Sequence, residues 1–380
     1  MQAAMTNRSA RSPVNYTGTT DANHRHRPLM SEQKKSVETR KVQLVSGSTY
    51  TVSLPKQWAS EHDIEAGDRL HLDPRDDGSL IVRTGRERTS ERTVASVTID
   101  HHSYADTVRT VRALHAVGFD AFTLRASKPL EADAKRSITA ATSKLIGLEV
   151  MEASETRLTL RSLLNTADVS IRQTVIQLQL VALSMQRDAI RALSENDTNL
   201  ATHVIERDDE ADQLFSMVDR HFQRALTDLQ EVNLLELNRP TLFSYYRIAR
   251  NLERIADHAE KIATITTRID NPRDTIIEDI AAVARRSHSV VEDATSVLLA
   301  GGSNNEAYRA LAARDDLLDT LEAFNQRLYC EDISDAYLLG LVLDSIKRTA
   351  EYGGNIAETA IQHTYREEGS TQLDESAEAH

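Results

Sequence analysis

What this chain has least of narrows its class first. Its 380 residues hold one cysteine, Cys330, which excludes an intramolecular disulfide and any thiolate-rich zinc site. Nothing marks that thiol as reactive, and it reads as a small core residue. No run approaches the roughly 18–20 apolar residues that span a bilayer, and the N-terminus lacks an apolar leader core. The expected location is the cytoplasm, with no membrane insertion. No Glu-x-x-His occurs anywhere, which removes the ligand pair of ferritin-like carboxylate oxidases. No phosphate-cradling glycine loop or nucleophile motif is present either, so an enzyme is not expected. Lysine is scarce, nine against thirty-six arginines in a chain of net charge −13. Such a surface argues against wholesale coating of nucleic acid and suits a high-salt cytoplasm, so what matters is where positive charge concentrates.

At 40% hydrophobic residues a chain of this length builds two or three cores. Residues 1–36 are rich in Ser, Thr, Asn, Pro and Arg without hydrophobic periodicity and read as a disordered arm. His24 and His26 belong to that polar tract rather than to a metal site. From 37 to 84, short alternating stretches (Val42, Leu44; Tyr50, Val52, Leu54; Leu70, Leu72) read as half-buried strands around one short helix, KQWASEHDI. So few short strands cannot enclose a core alone, and dimerisation is expected to complete it. Residues 93–165 read as a small α/β module of order β-α-β-α-β-β, with Gly118 and Gly147 ending its helices; a connecting or dimerising role is assigned to it. From 168 onward apolar residues recur at three and four. Helices are expected at about 168–194, 197–229 and 236–269, then at 273–299, 303–329 and 334–365, giving three-helix bundles over 168–270 and 272–366. The polar segment 367–380 reads as a disordered tail.

The two bundles repeat a pattern of acids. ERDDEADQLF in the first and ARDDLLDTLEAF in the second share RDDxxDxL, aligning Asp208, Asp209 and Asp212 with Asp315, Asp316 and Asp319. In the third helices LERIADHAEKIA aligns with SIKRTAEYGGNIA, so Glu253 corresponds to Lys347 and Asp257 to Glu351. Acids four apart share a helical face and repel by a few tenths of a kcal/mol per pair. The residues alone leave two readings open. Arg207, Arg254, Arg314 and Arg348 lace acids and bases across neighbouring helices, or the carboxylates converge on a cation, for which an all-oxygen set selects hard ions such as Mg²⁺, Mn²⁺, Ca²⁺ or Fe³⁺. His258 lies about 100° round the helix from Asp257 and reads as structural.

On these residues the helical half resembles the PhoU family of phosphate-uptake regulators, whose paired three-helix bundles carry E(D)xxxD motifs that bind metal clusters. The resemblance covers about 168–366. It implies metal ligands at Asp208, Asp212, Glu253 and Asp257, and at Asp315, Asp319 and Glu351 in the second bundle. The fourth motif departs from the family, because Lys347 stands where a carboxylate belongs and repels a cation. The first bundle is therefore expected to bind metal better, with Lys347 as a built-in counter-ion of the second.

Positive charge gathers at Glu32–Trp58, where Lys34, Lys35, Arg40, Lys41 and Lys56 face only Glu32 and Glu38. Local excess of this kind suits phosphate contact, and equally suits an edge strand protected by lysines. The stretch RKVQLVSGSTYTVSLPKQWASEHDIEAGDRLHL resembles an AbrB/SpoVT-type swapped-hairpin domain, a family that dimerises through interlaced strands and binds DNA. By position the resemblance implies DNA contacts at Arg40, Lys41, Ser46, Ser48, Thr49 and Lys56, with Trp58 in the core. The expectation is a multidomain α+β protein: a swapped-hairpin β domain, a small α/β module and two repeated PhoU-like bundles. Its expected partners are DNA, a second copy of itself, and a phosphate transporter ATPase or another phosphate-signalling protein. Its expected role is transcriptional regulation of phosphate uptake, the alternative being an adaptor that acts by protein contact alone.

Overall fold

The computed structural model describes residues 38–45, 47, 49–74, 78–84, 93–100, 103–269, 273–330 and 335–378, within two compact units, Met1–Ser90 and Glu91–His380. The arm expected at 1–36, with His24 and His26, and the turn residues Ser46 and Ser48 lie outside the described residues.

In the first unit β1 (Gln43–Val45) pairs antiparallel with β2 (Thr49–Thr51), setting Leu44 opposite Tyr50. Helix α1 (Lys56–Glu61) follows Pro55, and β3 (Leu70–Pro74) pairs antiparallel with β4 (Leu80–Thr84). Among the described residues of this unit no side chain is buried. Two two-stranded ladders and a six-residue helix have no second layer to close over them. Trp58, expected in a core, is accordingly only half-buried, its ring 5.0 Å from that of His62.

The second unit opens with the expected order: β5 (Val94–Thr98), α2 (Tyr104–Val117), β6 (Ala121–Arg125), α3 (Ala132–Ser143), β7 (Leu148–Ala153) and β8 (Arg157–Ser162). The sheet order is β5-β6-β8-β7. Strands β5 and β6, joined through a helix, run parallel, as a crossover requires, and the other pairs are antiparallel. Period-two alternation buries Phe122, Leu124, Leu158 and Leu160 under the helices. Ser103 caps α2, which ends at Gly118 with φ 102°, a conformation that suits glycine.

The helices that follow are α4 (Ile171–Glu195), α5 (Thr198–Thr227), the short α6 (Leu229–Leu234), α7 (Arg239–Thr266), α8 (Asp274–Leu299), α9 (Asn304–Cys330) and α10 (Ala336–Glu378). The break between α4 and α5 is written in SENDTN: Asn196 turns left-handed, and the Asp197 carboxylate accepts the backbone N–H of Asn199 and Leu200, satisfying donors the new helix leaves open. Helices α4, α5 and α7 pack together, as do α8, α9 and α10, and α7 also packs on α10. One continuous core therefore runs through both bundles. No helix among the described residues is long and apolar enough to cross a membrane.

Two expectations are corrected. Helix α10 runs on to Glu378, through much of the tail read as disordered, because EEGSTQLDES contains no proline and a single glycine to stop it. Cys330 is exposed rather than buried; it closes α9 two residues beyond Leu328, the last core position of that helix.

Candidate metal centre and nucleic-acid interface

Helices α5 and α7 lie against each other in the first bundle. Four-residue spacing stacks Asp208 over Asp212 on α5, and on α7 Glu253, Asp257 and Glu260 follow one face. One carboxylate oxygen each from Asp208, Asp212 and Asp257 lie within 4.8 Å of one another. Asp257 accepts a hydrogen bond from Arg254 at 2.9 Å. Neither Asp208 nor Asp212 has a hydrogen bond or ion pair among the described residues. Glu253 stands beside them at 7% exposure. Its Oε1 accepts from Arg250 at 3.2 Å, while Oε2 has no hydrogen bond, the nearest cation being Arg254 Nε at 3.7 Å.

Crowded, half-buried carboxylates resist ionisation. Burial, then the charges of Asp212, Glu260 and Asp257, push Asp208 up to about 7. Burial and Asp257 push Glu253 up to about 7. Burial also raises Asp212, against the opposing charge of Arg112, and raises Glu260 with help from Asp257. The donor set is all oxygen, two members are unpartnered, and a buried oxygen is orphaned. An oxygen set of this kind suits a hard cation, while Arg250 and Arg254 lace the α7 carboxylates Glu253 and Asp257. Glu260 extends the sequence set. It lies three residues beyond Asp257, outside the four-residue pairing, and the 253, 257, 260 spacing along one helical face was the available signal.

The second bundle places its acids differently. Asp315 is exposed and held by Arg314 at 2.7 Å, Glu351 is held by Arg348 at 2.9 Å, and Asp319 is exposed. These three are not brought together. Gly354, the repeat partner of Glu260, has its missing Cβ position 2.5 Å from the Arg314 guanidinium. The arginine thus lies across α10 where the first bundle carries a carboxylate. Arg314, rather than Lys347 alone, is the internal cation here.

A second polar cluster, invisible in the sequence, joins the α/β module to the first bundle. Arg220, 2% exposed, donates to the His115 carbonyl at 2.7 Å. Arg224 donates to Asp120 at 2.6 Å and to Glu231 at 2.9 Å, and His221 Nδ1 donates to Glu231. Burial opposes ionisation of Glu231 and Asp120. For Glu231 the His221 and Arg224 contacts outweigh it, and for Asp120 the Thr93 and Arg224 contacts do, so both carboxyls lie below the ordinary range. Burial and the Arg220 charge drive His115 down to about 3. A Cβ on Gly118 would meet Arg224 at 2.3 Å, so this glycine serves the interface as well as the turn. Across the two modules the partners His115–Arg220 and Asp120–Arg224 are 105 and 104 residues apart in sequence, beyond any local pattern.

In the N-terminal unit Arg40, Lys41, Thr49 and Lys56 are all exposed, and Arg40 is paired with Glu38. Leu44, Tyr50, Val52, Leu72 and Leu80 are exposed too, Tyr50 at 75% and Leu72 at 62%.

Taken together, two helical bundles sharing one core, an acidic cluster between α5 and α7, and a separate small β unit define a helical-repeat protein with a strand-rich appendage. Residues 175–266 match the PhoU domain. Residues 43–90 match the antidote-toxin recognition MazE, bacterial antitoxin family. The chain thus holds a PhoU domain in its first bundle and a MazE/AbrB-like domain near its N-terminus. It is 26% identical over 182 residues to a phosphate-specific transport system accessory protein PhoU homolog of Clostridium acetobutylicum, covering 46% of this chain and 81% of that one. A protein described in the same words from Synechocystis is 24% identical over 205 residues, covering 52% and 89%. The crystal structure of PhoU from Pseudomonas aeruginosa aligns with a TM-score of 0.42 at 24% identity, covering 50% of this chain and 93% of that one.

Proposed function

We propose that this protein is a non-catalytic, cytoplasmic regulator of phosphate uptake that binds DNA through a dimer of its N-terminal units and a hard cation through its first bundle. The observation that carries the DNA reading is the N-terminal unit itself. It leaves apolar side chains of both ladders in water, as at Tyr50 and Leu72, while Lys41 and Lys56 stay free of any carboxylate among the described residues. A second copy laid over the apolar side chains supplies the layer this unit lacks and doubles the cations available to a phosphate backbone. Thr49 opens β2, and Ser46 and Ser48, outside the described residues, complete the proposed contact set. Arg40, already paired, contributes less.

The cation is assigned to Asp208, Asp212 and Asp257, with Glu253 and Glu260 alongside. Bound there, a hard cation supplies charge neutralisation, and the chain's own residues supply the oxygen set and hold it between α5 and α7. Asp315, Asp319 and Glu351 are left out of that site. A second reading, an adaptor that docks on a phosphate transporter ATPase or sensor kinase, draws on the two relatives described as transport-system accessory proteins; it leaves the basic N-terminal unit without a task.

Electrophoretic mobility shift on the promoter of a phosphate transporter gene separates the two. The wild-type chain is expected to bind with a steep salt dependence, and the Lys41→Glu, Lys56→Glu double variant to bind on the order of 100-fold more weakly at 50–100 mM salt, four phosphate contacts being lost per dimer. Unchanged binding by the double variant removes the DNA assignment and leaves the adaptor reading.

A further inference from the structure

The α/β module lies outside both matched segments, yet it is built against the helix that carries two of the clustered aspartates. At the C-terminal half of α5 the contact is buried and fully engaged: Arg220 and Arg224 grip the His115 and Gly118 carbonyls and the Asp120 carboxylate. Toward the N-terminal half the contact changes character. Lys144, capping α3, donates to Asp209 at 2.7 Å, and both partners are nearly half exposed, at 45% and 46%. Asp209 stands between Asp208 and Asp212 in the chain. The charges of Arg112 on α2 and of Lys144 both act on the Asp212 carboxylate.

We propose that the α/β module is an intrinsic cationic competitor of the metal ion: Arg112 and Lys144 partly neutralise the Asp208–Asp212–Asp257 cluster through Asp212 and its neighbour Asp209 when the ion is absent, and Lys144 gives way when the ion binds. The inference rests on the cation reading of that cluster. Its physics is that two positive charges cannot share one set of carboxylates without repelling. A divalent ion among these oxygens raises the local potential and weakens the Lys144–Asp209 pair. Of these two contacts the Lys144–Asp209 pair is exposed enough to exchange for water at low cost, whereas breaking the Arg224 contacts strands the buried Glu231 carboxylate. The edge of the module at α3 and Lys144 therefore loosens, and the buried clamp stays. Linkage makes the effect reciprocal: whatever weakens the Lys144 contact tightens the ion.

Calorimetric titration of the full chain with MnCl₂ at low ionic strength tests this directly, with Lys144→Gln, Lys144→Arg and Asp257→Ala alongside. Lys144→Gln is expected to bind Mn²⁺ roughly three- to tenfold more tightly than wild type, the size of a half-exposed charge several ångströms from a divalent ion. Lys144→Arg, which keeps the charge, is expected to stay within about twofold of wild type. Hydrogen exchange of the wild-type chain should rise on adding Mn²⁺ in 132–144 and stay unchanged at 115–118. If Lys144→Gln binds like wild type and exchange in 132–144 does not respond to Mn²⁺, while Asp257→Ala has lost binding, the competition is overturned and the cation site stands. If the wild-type chain itself takes up no Mn²⁺, the cation reading fails and the competition with it.

Discussion

The two bundles share the order of their long helices and the RDDxxDxL motif, yet only one of them gathers its acids. In the first, Asp208 and Asp212 face Asp257 across the α5–α7 seam with no basic partner of their own among the described residues. In the second, Asp315 and Glu351 each take an arginine, at 2.7 and 2.9 Å, and Asp319 faces solvent. What separates them is which face of the helix meets the neighbour and where the arginines go. Arg207, repeat partner of Arg314, is drawn away from the cluster to Ser184 and Asp188 at 3.0 and 3.4 Å. Arg314 has no such partner on α8, and Gly354 opens the space it occupies. Asp257 and its repeat partner Glu351 each hold an arginine at 2.9 Å, so the difference lies on the α5 and α9 side, where Arg207 is engaged elsewhere and Arg314 turns to its own aspartate.

The sharpest way to break this comparison is to remove ligands from each bundle in turn. Asp257→Ala removes one of three clustered charges, and because affinity of an oxygen site follows its charge count, Mn²⁺ affinity is expected to fall on the order of 100-fold by calorimetry. The double variant Asp315→Asn, Asp319→Asn is expected to stay within about twofold of wild type, since those carboxylates are exposed and their charge is screened by solvent. Equal losses in the two variants would make the bundles equivalent after all.

The element order was largely legible from the chain, and the reasons are local. Period-two alternation marks β6 and β8, period 3.6 marks α4, α5 and α7 through α10 but not the six-residue α6, and Asn196–Asp197 announces its own helix break. The acids were legible as motifs, because four-residue spacing is a statement about one helix. Which motifs converge was not, since that depends on the rotation of α5 against α7 and of α9 against α10. Lys347 looked like the residue that disables the second bundle. The structure adds Arg314, packed over Gly354, forty residues away in the chain and joined to it only by packing. The Arg220–Arg224–Glu231–His221 clamp had no signature at all: its counterparts His115 and Asp120 sit on a different module, and no spacing rule spans that distance. Cys330 was misplaced because one cysteine carries no periodicity to say which side of α9 it takes.

The acidity of the first cluster gives the comparison a pH axis. Asp208 is raised to about 7 in the fold from 3.8, so the metal-free folded chain holds that proton more tightly than the unfolded chain. Its contribution to stability is fully present below pH 3.8 and is lost as pH rises through about 7. Replacing it by its neutral isostere, Asp208→Asn, removes the loss. In the presence of a chelator the variant should match wild type near pH 4 and exceed it at pH 8 by about 1 kcal/mol in urea unfolding, after allowance for solvent screening of a half-exposed group. A wild-type chain as stable at pH 8 as its Asp208→Asn variant, both free of metal, would mean that the cluster carries no stored repulsion.

The smallest expected effect separates two explanations for the silence of the second bundle. If Lys347 alone prevents a cation from binding there, Lys347→Glu rebuilds the fourth acidic motif and should add a second Mn²⁺ equivalent to the titration. The geometry argues otherwise. A glutamate at 347 joins α10 one turn before Glu351, but Asp315 remains in the grip of Arg314 and Asp319 remains in solvent, so no set of three oxygens forms. Lys347→Glu is therefore expected to leave Mn²⁺ stoichiometry unchanged and the affinity of the first bundle within about twofold, the new charge being screened over the distance between bundles. A second equivalent appearing in this single variant would return the difference between the bundles to one residue, and would show that Arg314 yields to an ion more readily than its place over Gly354 suggests.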